Sequence, residues 1–142
     1  MRVKFMKLLK DTPTPTYSRT GDGAIDLVAM RVQATEDYIE YDTGLAFQLP
    51  SGYIGLIMPR SSVSSKHLLL CNGVGLLDEN YTGGVKLRFK LTNKGTKTSK
   101  IYEVYDRVGQ LLIIPRPVIV LDEVESLQAT NRGSSGFGSS GK

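Results

Sequence analysis

The stretch GVGLLDENYTG at residues 73–83 holds the largest group of side chains that could do chemistry. Its paired glycines either bring the backbone close to a ligand or simply make turns. Asp78 follows an apolar pair, which favours a partly enclosed carboxylate that could act as a general base, and Tyr81 comes three residues later. The alternative is a β-hairpin with turn-forming Asp and Asn, which explains residues 78–80 well and Asn72 less well.

Three other places carry groups that could take part in binding a phosphate, either directly or through a metal ion. The run Pro-Arg-Ser-Ser at 59–62 follows an apolar segment, and a plain surface turn is the alternative interpretation. Arg107 and Gln110 lie among apolar neighbours and need polar partners if that strand is buried. Asp26 is a carboxylate in an apolar strand, so it is either salt-bridged or close to a metal-bound phosphate.

The last ten residues, 133–142, contain eight glycines or serines and follow Arg132. This composition cannot pack a core, so the sequence predicts a flexible tail after a folded domain over residues 1–131. A linker is one interpretation of this tail. The other is a binding segment, in which glycine N–H groups and serine hydroxyls contact phosphates while Phe137 stacks on a base.

The elements that must position these residues are short strands. The chain has 142 residues, and its fifteen glycines and six prolines separate short apolar runs with no long 3.6-residue period. This pattern predicts an all-β, jelly-roll-like sandwich or barrel of nine or ten strands. The predicted strands lie near Val3 and Phe5 and at 25–32, 45–49, 53–58, 67–70, 85–92, 101–105, 108–114 and 118–121, with one short helical turn at 61–66 and a turn at 93–96.

Composition excludes several classes of protein. One cysteine, Cys71, and one histidine, His67, exclude a disulfide framework and cysteine- or histidine-rich metal centres. No apolar run is long enough to span a membrane and the first residues lack a signal-peptide core, so we expect a soluble intracellular protein. The net charge of +4 suits an anionic small molecule as well as a nucleic acid.

Five segments, in this order, resemble the motifs of the trimeric deoxyuridine triphosphatases (dUTPases), and they lie at 24–27, 59–62, 73–83, 106–111 and 132–141. The resemblance implies a jelly-roll-like β subunit and a homotrimer whose sites are built from several subunits. It also implies Mg²⁺-assisted attack of water on the α-phosphate of dUTP, which gives dUMP and pyrophosphate and keeps uracil out of DNA. Residues 132–142 would close over the substrate.

The resemblance also implies a role for each matching residue. Asp78 would orient and deprotonate the attacking water, and Asp26 would act near Mg²⁺ through water. The nucleoside would be bound by Asn72, Gly75, Leu76, Leu77 and Tyr81, with Lys86 also at the substrate. The phosphates would be held by Arg60, Ser61, Ser62, Arg107, Gln110 and Arg132. From the tail, Phe137 would stack over uracil while Gly138, Ser139 and Ser140 wrap the β- and γ-phosphates.

Four positions depart from the family pattern, namely Ala24, Asn80, Thr82 and Gly109. None removes a group that the chemistry needs, and Gly109 is expected to loosen its strand slightly.

Other functions are compatible with such a chain. A dCTP deaminase has a similar fold and tail, but residues 75–78 fit water attack on phosphate better. A nucleotide-sensing interaction protein could keep the fold and signal by binding, whereas a structural subunit of a viral particle would not need five ordered motifs. The resemblance predicts a cytoplasmic enzyme, in the host cytoplasm if the source is viral, without stable nucleic-acid binding or membrane association.

Overall fold

A computed structural model describes residues 1–92 and 100–134, and within them the chain forms two antiparallel sheets. The strands are β1 (Lys4–Lys7), β2 (Ile25–Val28), β3 (Arg31–Ala34), β4 (Ile39–Gln48), β5 (Tyr53–Met58), β6 (Leu68–Leu70), β7 (Gly75–Leu77), β8 (Gly84–Leu91) and β9 (Arg107–Pro115). One sheet has the order β1-β4-β8-β6, with β3 also paired to β4, and the other has the order β2-β9-β5-β7. The prediction of an all-β, jelly-roll-like fold is confirmed.

The core lies between the two sheets. The alternation predicted for β8 is confirmed, because Val85, Leu87 and Phe89 are buried while the side chains between them are exposed. Phe89 packs edge-on against Tyr41 with ring centroids 5.6 Å apart. The Tyr41 hydroxyl donates to the Tyr102 carbonyl and accepts from the Tyr102 amide, both at 3.2 Å, and burial raises the pKa of Tyr41 to about 12.

The single strand predicted at 25–32 is wrong, because the chain changes sheets in its middle. Residues 25–28 pair with β9 in one sheet, whereas residues 31–34 pair with β4 in the other. Between them the Ala29 amide donates to the Asp106 carbonyl at 2.9 Å and the Met30 amide donates to the Asp42 carbonyl at 2.7 Å. The mostly apolar segment 25–32 therefore pairs with two different neighbouring strands rather than with one.

Two other predicted strands are absent from the described structure. Residues 101–105 form a loop that ends at Tyr105 with φ of 71°, although Tyr102 is buried in the core. Residues 118–121 pair with no strand within the subunit, and their side chains are 72–91% exposed. An apolar run predicts burial, but a single copy of the chain offers no described surface that covers this one.

The remaining strands differ from prediction mainly at their ends. β4 begins at Ile39 instead of Leu45, and β1 begins at Lys4. The predicted helical turn is confirmed as a 3₁₀ helix over Ser61–Ser65. The turn predicted at 93–96 lies outside the described residues. Among the helices that the structure describes, none has the length and apolar character needed to cross a membrane.

Gly109 occupies a place where β9 approaches the other sheet closely. A Cβ atom built at this position would collide with the Leu87 side chain and lie 3.2 Å from the Met58 carbonyl oxygen. We therefore expect Gly109→Ala to lower the free energy of unfolding by about 1–3 kcal/mol, because it overpacks a filled core. Chemical denaturation at fixed protein concentration measures this, with Gly23→Ala as the control because open space surrounds Gly23. Equal stability of the two variants would contradict the expectation.

Candidate active site

A cavity of about 410 Å³ lies against the edge strand β7 of one sheet and strand β8 of the other. Six of the predicted substrate-binding residues line it, namely Asn72, Gly75, Leu76, Leu77, Tyr81 and Lys86. Eight other residues also line the cavity, and among them Glu40, Cys71 and Arg88 carry polar side chains that the sequence did not predict at the site. The cavity has the size of a small-molecule site, which is the scale of a nucleoside.

β7 has one buried and one exposed face. Leu77 is 2% exposed and packs in the core at the wall of the cavity, while Leu76 is 60% exposed and lines the cavity from its open side. β7 pairs with β5 on one side only, because it is the last strand of its sheet. The backbone groups on its other side are therefore available to a ligand.

A tight turn follows β7 and carries two predicted site residues. The Tyr81 amide donates to the Asp78 carbonyl at 3.1 Å, and the Tyr81 hydroxyl donates to the Gly84 carbonyl at 3.1 Å. The Asp78 side chain is exposed, and within the described residues its carboxylate has no hydrogen-bond or ion-pair partner. The turn thus presents a carboxylate next to a tyrosine that lines the cavity.

Glu40 organises the charged wall of the cavity. Its two carboxylate oxygens accept from Lys86 Nζ at 2.7 Å and from Arg88 Nε at 2.8 Å. The hydrogen bond from Lys86 holds the pKa of Glu40 below its usual range, although burial acts in the opposite direction. In the sequence, Ile39, Tyr41 and Thr43 alternate with Glu40 and Asp42, which is the pattern of a half-buried strand. The strand predicted at 45–49 did not include this part of β4.

A second group of predicted residues meets at Asp26. Its Oδ1 accepts from Arg60 Nε at 2.8 Å, and its Oδ2 accepts from an Arg107 guanidinium nitrogen at 3.0 Å. That same nitrogen of Arg107 donates to Ser18 Oγ at 2.6 Å, a contact that the sequence did not predict. Of the two alternatives for Asp26, the salt-bridged one is present. Three of the five sequence motifs therefore converge here.

The other predicted phosphate-binding residues lie close to this group in the chain. Gln110 Nε2 donates to the Pro59 carbonyl at 3.1 Å. Ser62 Oγ lies 3.3 Å from the Tyr102 hydroxyl, while the neighbouring Ser61 is exposed at the start of the 3₁₀ helix. Among the described residues, no hydrogen bond or ion pair joins the Asp26 cluster to the cavity.

The remaining predicted residues lie toward the end of the chain. Arg132 is exposed on a turn near the end of the described region. Phe137, Gly138, Ser139 and Ser140 lie outside the described residues.

The acidic residues favour an indirect role with a metal ion. No group of three or more His, Cys, Asp or Glu side chains in residues 1–92 and 100–134 is arranged to hold a metal. The Asp26 carboxylate is already bound by two arginines. Mg²⁺ commonly keeps several waters and is held by one or two carboxylates plus substrate phosphates. Because both oxygens of Asp26 already accept from arginines, this carboxylate fits water-mediated contact with such an ion better than direct coordination.

The fold and the site together define a class: a two-sheet β protein with a nucleoside-sized cavity and a separate arginine cluster suited to an anion. The family model described as dUTPase matches residues 10–141. The chain belongs to the dUTPase family, and it is therefore a hydrolase. The resemblance drawn from the five motifs is confirmed.

Individual relatives agree with this assignment along the whole chain. The deoxyuridine 5'-triphosphate nucleotidohydrolase of Thermobifida fusca is 36% identical over 146 residues and covers 99% of this chain and 79% of that protein. The enzyme of the same name from Alcanivorax borkumensis is 36% identical, with 99% and 96% covered. The structure of the Staphylococcus bacteriophage 80alpha dUTPase with dUPNHPP has a TM-score of 0.84 at 27% identity, with 99% of each chain covered.

Proposed function

We propose that this chain hydrolyses dUTP to dUMP and pyrophosphate, which supplies dUMP and keeps uracil out of DNA. The observation that carries the proposal is family membership along nearly the whole chain, in which the third motif lines the cavity. The dUTPase match also favours this reaction over the deamination of dCTP. Because the substrate belongs to the nucleotide pool, the proposed place of action is the cytoplasm, with no stable binding to nucleic acid.

The cavity is the proposed nucleoside site. The free edge of β7 offers the backbone N–H and C=O groups of alternate residues within 75–77, which complement the alternating donors and acceptors of the uracil edge. Asn72 adds an amide at the same cavity, and Lys86 adds a positive charge that Glu40 holds in place. This arrangement supports selection of uracil by hydrogen bonding.

Tyr81 is the proposed sugar-contacting residue, because its ring lines the cavity while its hydroxyl donates a hydrogen bond to the Gly84 carbonyl. A ring fixed in this way would exclude the 2′-hydroxyl of a ribose packed against it. We expect Tyr81→Ala to reduce the dUTP-to-UTP ratio of kcat/KM by about tenfold, the scale of a steric contact in a pocket. Steady-state kinetics with both nucleotides measure this, and Tyr17→Ala, an exposed tyrosine, is the control. An unchanged ratio would place sugar selection elsewhere.

The cluster at Asp26 is the proposed triphosphate site. Asp26 uses one oxygen for each of Arg60 and Arg107, so it fixes both guanidinium groups while each keeps further N–H donors for phosphate oxygens. A triphosphate carries about four negative charges, and arginine suits such bidentate contacts. Ser61, Ser62 and Gln110 complete the proposed set from described residues, and Arg132, Phe137, Gly138, Ser139 and Ser140 are the proposed contribution of the last segment.

Asp78 is the proposed general base. Its exposed carboxylate orients a water molecule and takes its proton as the water oxygen forms a bond to the α-phosphorus. The bond from the α-phosphorus to the bridging oxygen then breaks, and pyrophosphate leaves with that oxygen. Mg²⁺, when bound to the triphosphate, supplies charge neutralisation, and Asp26 is the residue proposed to contact it through water. Direct attack by water requires positioning and electrostatic stabilisation rather than a protein nucleophile.

We infer that the working form is a homotrimer in which sites are shared between subunits. Apolar side chains between 118 and 127 are among the most exposed in the described structure, with Leu121 at 91% and Leu127 at 87%. Phe5 and Met6 on the edge strand β1 are also exposed, at 42% and 58%. Exposed apolar surface of this extent marks an interaction site, and a strand edge requires cover.

Light scattering or sedimentation is therefore expected to find a trimer in solution. The concentration series should extend well below that of the activity assay. A monomer that remains fully active at every concentration would refute shared sites, whereas a trimer that loses activity as it dissociates would support them.

The reaction itself is tested by pyrophosphate release from dUTP, compared with dTTP, dCTP and UTP under the same conditions. We expect release from dUTP alone at an appreciable rate. Ammonia release from dCTP would instead support the deaminase alternative, and the absence of any release from dUTP would overturn the proposal.

A further inference from the structure

The carboxylate of Glu79, directly after Asp78, makes three hydrogen bonds to distant parts of the chain. Its Oε2 accepts from the Gly52 amide at 2.8 Å and from an Arg116 guanidinium nitrogen at 3.2 Å. Its Oε1 accepts from Ser51 Oγ at 3.3 Å. The first and last partners lie in the turn between β4 and β5, and the arginine directly follows β9.

Two of the residues that bind Glu79, Gly52 and Arg116, are also hydrogen-bonded to each other. The Arg116 amide donates to the Gly52 carbonyl at 2.7 Å, so the end of β9 and the β4–β5 turn are joined independently of Glu79. Glu79 therefore binds a preformed platform rather than a loose loop. The amide of Gly52 and the guanidinium of Arg116 also hold the pKa of Glu79 below its usual range, so the bonding form is present at neutral pH.

Little else fixes the turn that carries Asp78 and Tyr81. Within residues 78–83, the remaining hydrogen bonds are local: Tyr81 amide to Asp78 carbonyl, and Tyr81 hydroxyl to Gly84 carbonyl. Both Asp78 and Tyr81 are exposed. In the described structure, the three bonds of Glu79 are thus the only side-chain hydrogen bonds that join this turn to segments distant in the sequence.

We propose that Glu79 is a positioning residue that fixes the turn Asp78–Tyr81 against the platform of Ser51, Gly52 and Arg116. Its catalytic consequence rests on the proposed function, since Asp78 is the proposed base. Glu79 itself touches no reacting atom. It acts by holding the turn in one position, so that Asp78 and Tyr81 keep a fixed place relative to the cavity. A misplacement of about 1 Å in such a group can cost about 10²-fold in rate.

The substitution Glu79→Gln keeps the size of the side chain and removes its charge. We expect kcat for dUTP to fall by about tenfold. Binding of a non-hydrolysable dUTP analogue should weaken far less, because the cavity walls and the Asp26 cluster are unchanged. Glu36→Gln is the matched control, since Glu36 is an exposed carboxylate between β3 and β4. Arg116→Gln should lower kcat in the same direction, and the double variant should lose less than the product of the two single losses.

Hydrogen exchange gives a readout that does not depend on the reaction. The Tyr81 amide should exchange faster in Glu79→Gln than in the parent protein or in Glu36→Gln, while core amides of β8 stay protected. If Glu79→Gln does not fold, Tyr81 amide exchange and kcat are compared between Arg116→Gln and the parent protein instead, because this variant removes only one of the three hydrogen bonds. Parental kcat together with parental exchange would overturn the inference. Faster Tyr81 exchange in a protein that does not hydrolyse dUTP would support the anchoring and refute the proposed function instead.

Discussion

Asp78→Ala is expected to retain dUTP binding and to lose turnover by about 10²–10⁴-fold, the usual cost of removing a general base. Asp78 directly follows β7, whose residues line the cavity, and its carboxylate has no hydrogen-bond or ion-pair partner among the described residues. The substitution therefore breaks no hydrogen bond or ion pair in the subunit. The effect should appear in kcat, because the uracil and phosphate contacts proposed here come from other residues.

The measurement pairs pre-steady-state turnover with direct binding of dUTP. Asp11→Ala is the control, because Asp11 is another exposed aspartate on a turn, far from the motif residues in sequence. A variant of Asp78 that keeps more than roughly a tenth of the parental kcat would remove this residue from the mechanism, given the usual size of general-base effects.

Deletion of residues 132–142 is expected to abolish most turnover while leaving the fold and the trimer intact. Eight of the last ten residues are glycine or serine and contribute little to a core. The deletion removes the Arg132 charge, the Phe137 ring and the backbone donors of Gly138 to Ser140. Each contact could supply about 1–3 kcal/mol, and part of the loss should fall on kcat because closure over a site excludes water.

Phe137→Trp gives a direct signal for the same segment, because the chain contains no tryptophan. Its fluorescence should change when a non-hydrolysable dUTP analogue is added with Mg²⁺, and should not change with dTTP at the same concentration. Normal turnover of the truncated enzyme, or a tryptophan signal that ignores the nucleotide, would mean that the segment is a linker.

The sequence predicted most of the individual strands, because burial on one or both faces of a strand leaves a visible pattern. β5, β8 and β9 were found from this pattern with ends correct to one or two residues. The change of sheet at Ala29 could not be predicted, since no turn-forming glycine or proline separates residues 25–28 from residues 31–34 and only their partner strands differ. Residues 118–121 were predicted wrongly for a different reason, because an apolar run predicts burial whereas these side chains are exposed in the single subunit.

The sequence named many of the residues that lie in the cavity and in the Asp26 cluster, but it did not predict which of them bind one another. The motif resemblance named Asp26, Arg60 and Arg107, but no spacing in the chain indicates that one carboxylate binds both arginines. Glu40 and Glu79 were missed because each was an acidic residue in an ordinary context, and only the folded chain brings their partners to them.

The exposed apolar segment beyond β9 links the stability of the subunit to the proposed association of several copies. If another copy covers this segment, part of the hydrophobic stabilisation belongs to association and not to the isolated chain. The melting temperature should then rise with protein concentration, and dilution should expose residues 118–127 to proteases before the two sheets unfold. In a cell, the concentration of the protein would thus affect the lifetime of each folded subunit as well as the amount of nucleotide that is hydrolysed.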